Sequence, residues 1–257
     1  MSAFSAAVSD SMVITQRNLK RVARAPDLLV GYTVQPVMFV LLFVYVFGGA
    51  IQVPGLDYVD FLMPGIITQT IAFGGFVTAI GLNEDLRKGL IDRFRSLPMA
   101  RSAVLAGRTA ADLALNLLAI TVMIAVGVLA GFDFSTSVPE VAAGIGILLL
   151  FGYAFSWIFA LIGLTASSSE SAQAAGFVGI FPLTFASSAF VPVDTMPSAL
   201  RAFAEVNPFT IVTDAVRALF IGTPAGNSIW GAVAWSIGLI AVFAPIAVAR
   251  YRSVSAR

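Results

Sequence analysis

The chain lacks two residue types on which many enzymes depend. Its 257 residues include no cysteine and no histidine. These absences exclude disulfides, thiolate nucleophiles, the usual zinc and haem ligation, and Ser/His or Cys/His catalysis. We therefore predict neither a catalytic site nor a metal site in this chain.

Lysine is scarce, and its positions exclude a nucleotide-binding loop. Such a loop requires Gly-Lys-Ser/Thr, whereas the only lysines are Lys20 and Lys88, which follow Leu19 and Arg87. The chain by itself is therefore not an ATPase, and we expect it to bind no cofactor.

Charge of either sign is sparse and hydrophobic residues dominate. Only 11% of residues are charged and 58% are hydrophobic, a composition typical of a polytopic membrane protein. Long apolar runs predict an all-α fold, forming a single domain over residues 1–257, with six transmembrane helices. We place these spans at about residues 28–51, 61–82, 104–130, 141–165, 174–191 and 230–248.

The two remaining apolar segments do not cross the membrane in this prediction. Residues 1–26 form an amphipathic helix whose central charges would each cost about 2.5 kcal/mol in hydrocarbon, so we expect it at the membrane interface. Residues 193–222 are expected to form two short re-entrant helices, about 197–205 and 208–220, the second capped by Asn207 with Pro208 in its first turn.

The distribution of basic residues sets the expected orientation. With six spans, thirteen of the fifteen Lys and Arg residues lie on the side that holds both termini. That side is cytoplasmic by the positive-inside rule, and the re-entrant segment is then extracellular. A seventh crossing by residues 209–220 would move the C-terminal arginines outside, so we reject it.

A charged island interrupts the apolar sequence at residues 83–101. Its apolar residues recur at helical spacing, which predicts an amphipathic helix capped by Asn83 and ended by Pro98. Gly89 in its middle indicates the close approach of another backbone. Two interpretations stay open: an interfacial anchor, or a docking helix for a soluble partner. Arg108 and Asp112, just after the island, are expected to form a helix-surface pair worth about 0.3 kcal/mol.

Polar residues inside the spans are few, and none of the six spans has a charge at its centre. This argues against ion-coupled transport, which usually needs one. An interhelical hydrogen bond explains each polar residue equally well, yet together they favour the second and fifth spans as walls of a cavity. Gln69, Phe73 and Phe76 share one helix face. The candidate substrate pathway comprises Gln69, Phe73, Phe76, Phe181 and Ser187.

Two blocks of residues resemble a known family. The first contains Gly89, Arg93, Leu97, Pro98 and Arg101, and the second runs from Phe190 and Pro192 through Asn207, Pro208, Asp214, Arg217 and Gly222. With the length and the span pattern, the chain resembles the type-2 ATP-binding-cassette (ABC) exporter permeases, above all the daunorubicin and doxorubicin resistance group of the bacterial plasma membrane.

The resemblance implies partners and residue roles. It implies a permease dimer, formed by two copies or by this chain and a related permease, which works with a separate ABC ATPase subunit that uses ATP and Mg²⁺. Lipids are expected partners and nucleic acid is not. Carried over by motif, the ATPase-coupling residues are Glu84, Asp85, Gly89, Arg93 and Pro98, and the outer re-entrant gate contains Asn207, Pro208 and Arg217.

The expected function is export of amphipathic or hydrophobic drugs, lipids or glycolipids. The alternatives are a polysaccharide-type exporter permease and a membrane scaffold that transports nothing. We expect the dimer to form through the first and fifth spans, where Gly176 and Gly179 permit close helix packing.

Overall fold

The computed structural model describes residues 3–24, 26–49, 51, 53, 55–90 and 101–254, and over these ranges regular structure is helical apart from one isolated bridge between Val53 and Leu56. This confirms the all-α prediction. The helices are α1 (Ala3–Ala23), α2 (Pro26–Leu42) continued by a π-helical turn (Phe43–Phe47), α3 (Tyr58–Arg87), α4 (Arg101–Leu129), α5 (Val138–Thr165), α6 (Ser169–Phe185), a 3₁₀ turn (Val193–Thr195), α7 (Ser198–Val206), α8 (Pro208–Ile221) and α9 (Ser228–Val254).

Four of these helices are long and apolar enough to cross a membrane. They are α3, α4 from Leu105 onward, α5, and α9 as far as Ser253. They correspond to the second, third, fourth and sixth spans expected from the sequence. A shorter apolar stretch, Val34–Phe47, covers part of the expected first span, and α6 has only 17 residues.

The helix α3 forms the centre of the molecule. The most apolar 18-residue stretch of α3 is 78% buried, whereas that of α9 is 17% buried, so α9 lies at the edge of the helix bundle. Glycines allow close packing around α3: a Cβ on Gly163 of α5 would lie 2.5 Å from the carbonyl oxygen of Ala79. The core therefore depends on backbone proximity as well as on large side chains.

Local sequence signals explain where several helices begin. Ser137 and Glu140 form a capping box at the start of α5, and the Ser137 amide donates to Glu140 Oε2 at 2.8 Å. Asn207 Oδ1 accepts from the Phe209 amide at 2.9 Å, and Pro208 occupies the first turn of α8. The expected cap at Asn207 is confirmed.

The charged island begins differently from our expectation. Asn83 does not cap a new helix but lies inside α3, where its Nδ2 donates to the Gly163 and Ala166 carbonyls at 3.2 and 2.8 Å. The helix continues because nothing in the sequence breaks it before Gly89, whose φ is 65°. Among the described residues no atom would lie within 4 Å of a Cβ on Gly89, so the close approach expected there stays a prediction. Residues 91–100 lie outside the described residues.

The fifth apolar segment is shorter and earlier than expected. We predicted a helix over residues 174–191, but α6 ends at Phe185 and the chain then turns. Pro182 removes one backbone donor near the end of the helix, and two of the terminal carbonyls, those of Leu183 and Ala186, instead accept from Asn207 Nδ2, each at 2.7 Å.

The N-terminal helix α1 is present as predicted and packs on α4. Ile14 is buried there, and Thr15 Oγ1 donates to the Gly107 carbonyl at 3.0 Å. Met12 and Val13 are about three-fifths exposed, at 58% and 60%, so the apolar residues of α1 divide between a protein-facing and an outward-facing set.

Candidate functional site

A cavity of about 320 Å³ lies between α2, α3 and α6, and we call it the Phe cavity. Its aromatic lining comprises Phe39, Phe73, Phe76, Phe177, Phe181 and Phe185. The rings form two contacting groups: Phe73 meets Phe177 edge-on with centroids 5.8 Å apart, and the centroids of Phe181 and Phe185 lie 4.3 Å apart. Gln35, Gln69 and Gln173 supply amide groups, and among the described residues the lining includes no charged side chain.

The Phe cavity brings together four of the five candidate pathway residues. Gln69, Phe73, Phe76 and Phe181 all line it. Ser187 does not: it is fully buried in the turn after α6, where its hydroxyl donates to the Thr184 carbonyl at 2.5 Å. The turn itself explains this difference, because Ser187 would face the cavity only if α6 continued beyond Phe185.

At one end of the helices, Arg17 of α1, Asp85 of α3 and Arg108 of α4 form what we call the inner junction. Arg108 Nη1 lies 3.2 Å from Asp85 Oδ2, and both side chains are more than nine-tenths buried. Arg17 Nη2 reaches the same carboxylate at 3.4 Å from a more exposed position. One buried carboxylate thereby joins three helices.

The inner junction corrects our interpretation of Arg108 and Asp112. We expected a weak surface pair, but both residues are buried. Arg108 donates to the Val77 carbonyl at 3.0 Å and pairs with Asp85, while Asp112 accepts from Thr78 Oγ1 at 2.5 Å. The prediction considered only spacing along one helix, and the partners lie on α3.

The coupling residues have different surroundings. Glu84 is about one-third exposed and pairs with Lys88 at 3.1 Å, whereas Asp85 points into the inner junction. Gly89 ends the helix with its left-handed conformation. Arg93 and Pro98 lie outside the described residues. Of the described members of the set, Glu84 is therefore the more exposed side chain, and Asp85 is buried.

The opposite end holds the outer junction, formed by Asn207, Thr210, Asp214 and Arg217 of α8 with the turn after α6. Arg217 is buried, and its Nη2 donates to the Phe61 and Ser188 carbonyls, each at 2.9 Å. Its guanidinium carbon also lies 3.9 Å from the centroid of the Phe61 ring. Arg217 Nη1 reaches Asp214 Oδ1 at 2.7 Å, and the Asp214 side chain is 42% exposed.

The outer junction includes all three candidate gate residues and some that the sequence analysis missed. Pro208 begins α8, and Asn207 and Arg217 bind the end of α6 and the turn after it. Thr210 and Ser188 were missed: Thr210 Oγ1 accepts from the Ser188 amide at 3.1 Å. Spacing could have identified Thr210, since Asn207, Thr210, Asp214 and Arg217 recur at helical intervals on an otherwise apolar helix.

Comparison with known proteins gives the class of this molecule. The model of the ABC-2 type transporter family matches residues 10–221, most of the chain. The chain belongs to the ABC-2 type transporter family.

Individual relatives agree with this assignment. The chain is 33% identical to a daunorubicin resistance ABC transporter permease protein of Streptomyces coeruleorubidus, over 97% of this chain and 88% of that protein. It is 26% identical to a Mycobacterium tuberculosis protein named as a doxorubicin resistance ABC transporter permease, over 96% of this chain and 90% of that protein.

Proposed function

We propose that this chain is the permease subunit of an ABC exporter that moves amphipathic molecules out of a bacterial cell across the plasma membrane. The observation that carries the proposal is the Phe cavity, which offers six phenylalanine rings and three amides between three helices. Apolar walls with a few fixed polar groups are typical of sites for small amphipathic ligands.

The cavity favours a drug, a lipid or a glycolipid over a polysaccharide. Stacking on aromatic rings suits a flat or acyl-bearing cargo, and Gln69 can orient one polar group. The relatives' names mention daunorubicin and doxorubicin, which supports a drug-like cargo. A polysaccharide would need many more hydrogen-bonding groups than this lining supplies.

We propose six spans, with α2 and α6 added to the four long apolar helices. From Pro26 through the π turn to Phe47 the chain can reach roughly 30 Å, and 17 residues are near the lower limit for a crossing. Both termini are then cytoplasmic, α1 lies at the inner interface, and α7 and α8 are re-entrant from the outside. The basic bias of the inner side supports this arrangement.

The partners in this proposal are a second permease copy and a separate ATPase subunit. Exposed apolar residues on α2 and α6, such as Tyr45 at 69% and Val178 at 77%, leave room for a dimer contact. Gly176 is not free for it, because a Cβ there would meet the rings of Phe76 and Phe159 of the same chain. Gly179 has open space beside it. Cysteines introduced along α6 should then crosslink two protomers, whereas crosslinks confined to α4 or α5 would contradict this interface.

Coupling to the ATPase is proposed for residues 83–101, with Glu84, Gly89, Arg93 and Pro98 as the residues of this element whose substitution should affect the partner. ATP and Mg²⁺ are bound by that partner. Asp85 supports the same element indirectly, since its contacts hold the end of α3 to α1 and α4. A push on this element would act on α3, the buried centre of the molecule, without a flexible linker in between.

The proposed function is tested by copurifying the permease with its ATPase and measuring ATP hydrolysis in lipid with and without daunorubicin. We expect stimulation by the cargo in the wild type. Phe73→Ala and Gln69→Ala should reduce stimulation several-fold while leaving basal hydrolysis intact. Leu118→Ala, which alters an exposed residue on α4, is the matched control.

The coupling element has its own test. Glu84→Lys and Arg93→Glu should weaken copurification of the ATPase or uncouple hydrolysis from transport, while both variants still insert and dimerise. Wild-type copurification and transport in both variants would reduce residues 83–101 to a membrane anchor. If the ATPase binds normally but no cargo affects hydrolysis or crosses the membrane, the scaffold alternative gains support instead.

A further inference from the structure

A second cavity, of about 430 Å³, lies at the inner end of the helices and belongs to neither junction nor to the Phe cavity. Three helix ends meet around it: α3, α5 and α9. Its polar lining comprises Asn83, Arg87, Thr165, Ser167, Arg250 and Ser253.

Asn83 is the most informative residue of this inner cavity. It is only 2% exposed, and its Nδ2 donates two hydrogen bonds, one to the Gly163 carbonyl and one to the Ala166 carbonyl. These two bonds fix the orientation of the amide, so Oδ1 is the remaining acceptor. No hydrogen-bond partner for Oδ1 exists among the described residues. Buried acceptors are rarely left unpaired, and this one therefore indicates a ligand with an O–H or N–H donor.

Two arginines give the same cavity a positive rim. Arg87 ends α3 and Arg250 lies near the end of α9, and both side chains are exposed and line the cavity. Glu170, in the first turn of α6, also interacts with Arg87. Two guanidinium groups beside one carboxylate leave net positive charge, which suits a phosphate group.

The surroundings of the cavity indicate that the phosphate belongs to a lipid. On α9, Ile246 and Val242 lie one and two turns before Arg250 and are 47% and 53% exposed, so an apolar surface runs along the helix from the cavity. This end is the basic side of the molecule, where headgroups of the inner leaflet lie. A ligand there can place its headgroup between the arginines and its acyl chains along the helices.

We infer that the inner cavity binds an anionic phospholipid with a hydroxyl-bearing headgroup, the chemistry of phosphatidylglycerol. The phosphodiester contacts Arg87 and Arg250, and a headgroup hydroxyl donates to Asn83 Oδ1. The inference uses the membrane orientation of the proposed function but does not depend on transport.

Native mass spectrometry of the purified full-length chain provides the test. Protein from nanodiscs that contain equal phosphatidylglycerol and phosphatidylmethanol should retain the former about fivefold better, because the two anionic lipids differ by the headgroup hydroxyls. Arg87→Gln with Arg250→Gln should lower retention of both lipids about tenfold. Lys20→Gln with Arg24→Gln is the matched control, since it removes two exposed charges from the same side and should change retention little.

Three results would overturn the inference. Equal losses in the two double variants would mean general attraction to an anionic surface. Equal retention of the two lipids would remove the role of Asn83. If Arg87→Gln with Arg250→Gln retained lipid normally but lost the copurifying ATPase, the cavity would be a protein contact.

A second experiment distinguishes binding of a lipid from binding of a free phosphate. Phosphatidylglycerol should raise the melting temperature of the wild type by several degrees, and inorganic phosphate or glycerol phosphate should not. An equal shift with the soluble phosphates would contradict a lipid site. Failure of this inference would not affect daunorubicin-stimulated hydrolysis, and failure of transport would not affect lipid retention.

Discussion

The two ends of the molecule each contain a buried arginine, but the two arginines are bound in different ways. Arg108 at the inner junction faces Asp85, whose side chain is 9% exposed, so both charges are removed from water. Arg217 at the outer junction faces Asp214, which is 42% exposed, and directs Nε and Nη2 to backbone carbonyls. The inner junction depends on charge neutralisation, and the outer junction depends on hydrogen bonds.

This difference indicates which end can open. Separating the inner pair would leave two uncompensated charges in a dry environment, which is costly. At the outer end, water that enters beside Asp214 can form hydrogen bonds with Arg217 and with the Phe61 and Ser188 carbonyls as the hydrogen bonds between them break. In the proposed orientation, the outer end is the one that opens to release cargo, and the rigid inner end is the one that contacts the ATPase.

The largest predicted effect is at the inner junction. Asp85→Asn removes the buried carboxylate that pairs with both Arg108 and Arg17 and should lower the free energy of unfolding by about 3–5 kcal/mol. Unfolding by SDS titration in mixed micelles measures this. The matched control is Glu84→Gln, which alters the exposed neighbouring pair with Lys88 and should cost at most about 0.5 kcal/mol. Equal losses of unfolding free energy in the two variants would show that the buried inner junction contributes no more to stability than the exposed pair.

The sequence alone predicted the helices at each end of the molecule but not the contacts between them. Helical periodicity and apolar length predicted the long helices, and the Asn207-Pro208 pair predicted where α8 begins. The partners of Arg108 could not be predicted, because Val77 and Asp85 contact it through the packing of α3 on α4 rather than through spacing along one helix.

The other differences between the sequence predictions and the structure have the same physical origin. Asn83 lies inside a continuous α3, where its side chain binds the Gly163 and Ala166 carbonyls. Spacing along α3 does not indicate these partners, because they belong to another part of the chain. The early end of α6 depends on Asn207, which is more than twenty residues away in sequence. In contrast, the shared helix face of Gln69, Phe73 and Phe76 is a local property, and all three line the Phe cavity.

The second prediction concerns the outer junction. Arg217→Ala removes the bonds to Phe61 and Ser188 and should cost about 2–3 kcal/mol, less than Asp85→Asn, since water can solvate the freed carbonyls. It should also open the outer end. The chain has no cysteine of its own, so a single cysteine introduced at Ser188 reports this through its reaction rate with a membrane-impermeant thiol reagent. Unchanged labelling in Arg217→Ala would contradict the outer junction as a barrier.

The third prediction separates the inner junction from the turn that follows it. Gly89→Ala forces a side chain into a left-handed position, with φ at 65°, and should lower the free energy of unfolding by about 1–2 kcal/mol. Gly238→Ala on α9 is the control: it adds the same methyl group in an open helical position and should not be destabilising. If Gly89→Ala were harmless, the end of α3 would not depend on this conformation.

The smallest effect is expected for Asp214. Arg217 is buried, but water reaches the 42% exposed Asp214 side chain and can solvate the Arg217 Nη1 that Asp214→Asn leaves, so this variant should cost about 1 kcal/mol, below the cost of Asp85→Asn. The same SDS titration compares the two. Equal losses for Asp214→Asn and Asp85→Asn would remove the contrast between the two ends.

The most direct test of the account is uptake of daunorubicin into inside-out membrane vesicles that contain the permease and its ATPase. We predict ATP-dependent uptake that requires both proteins and falls several-fold with Phe73→Ala or Gln69→Ala in the Phe cavity, but not with Leu118→Ala. Uptake that continued without the permease, or that ignored both cavity substitutions at normal protein levels, would contradict the proposal that cargo crosses the membrane through the Phe cavity.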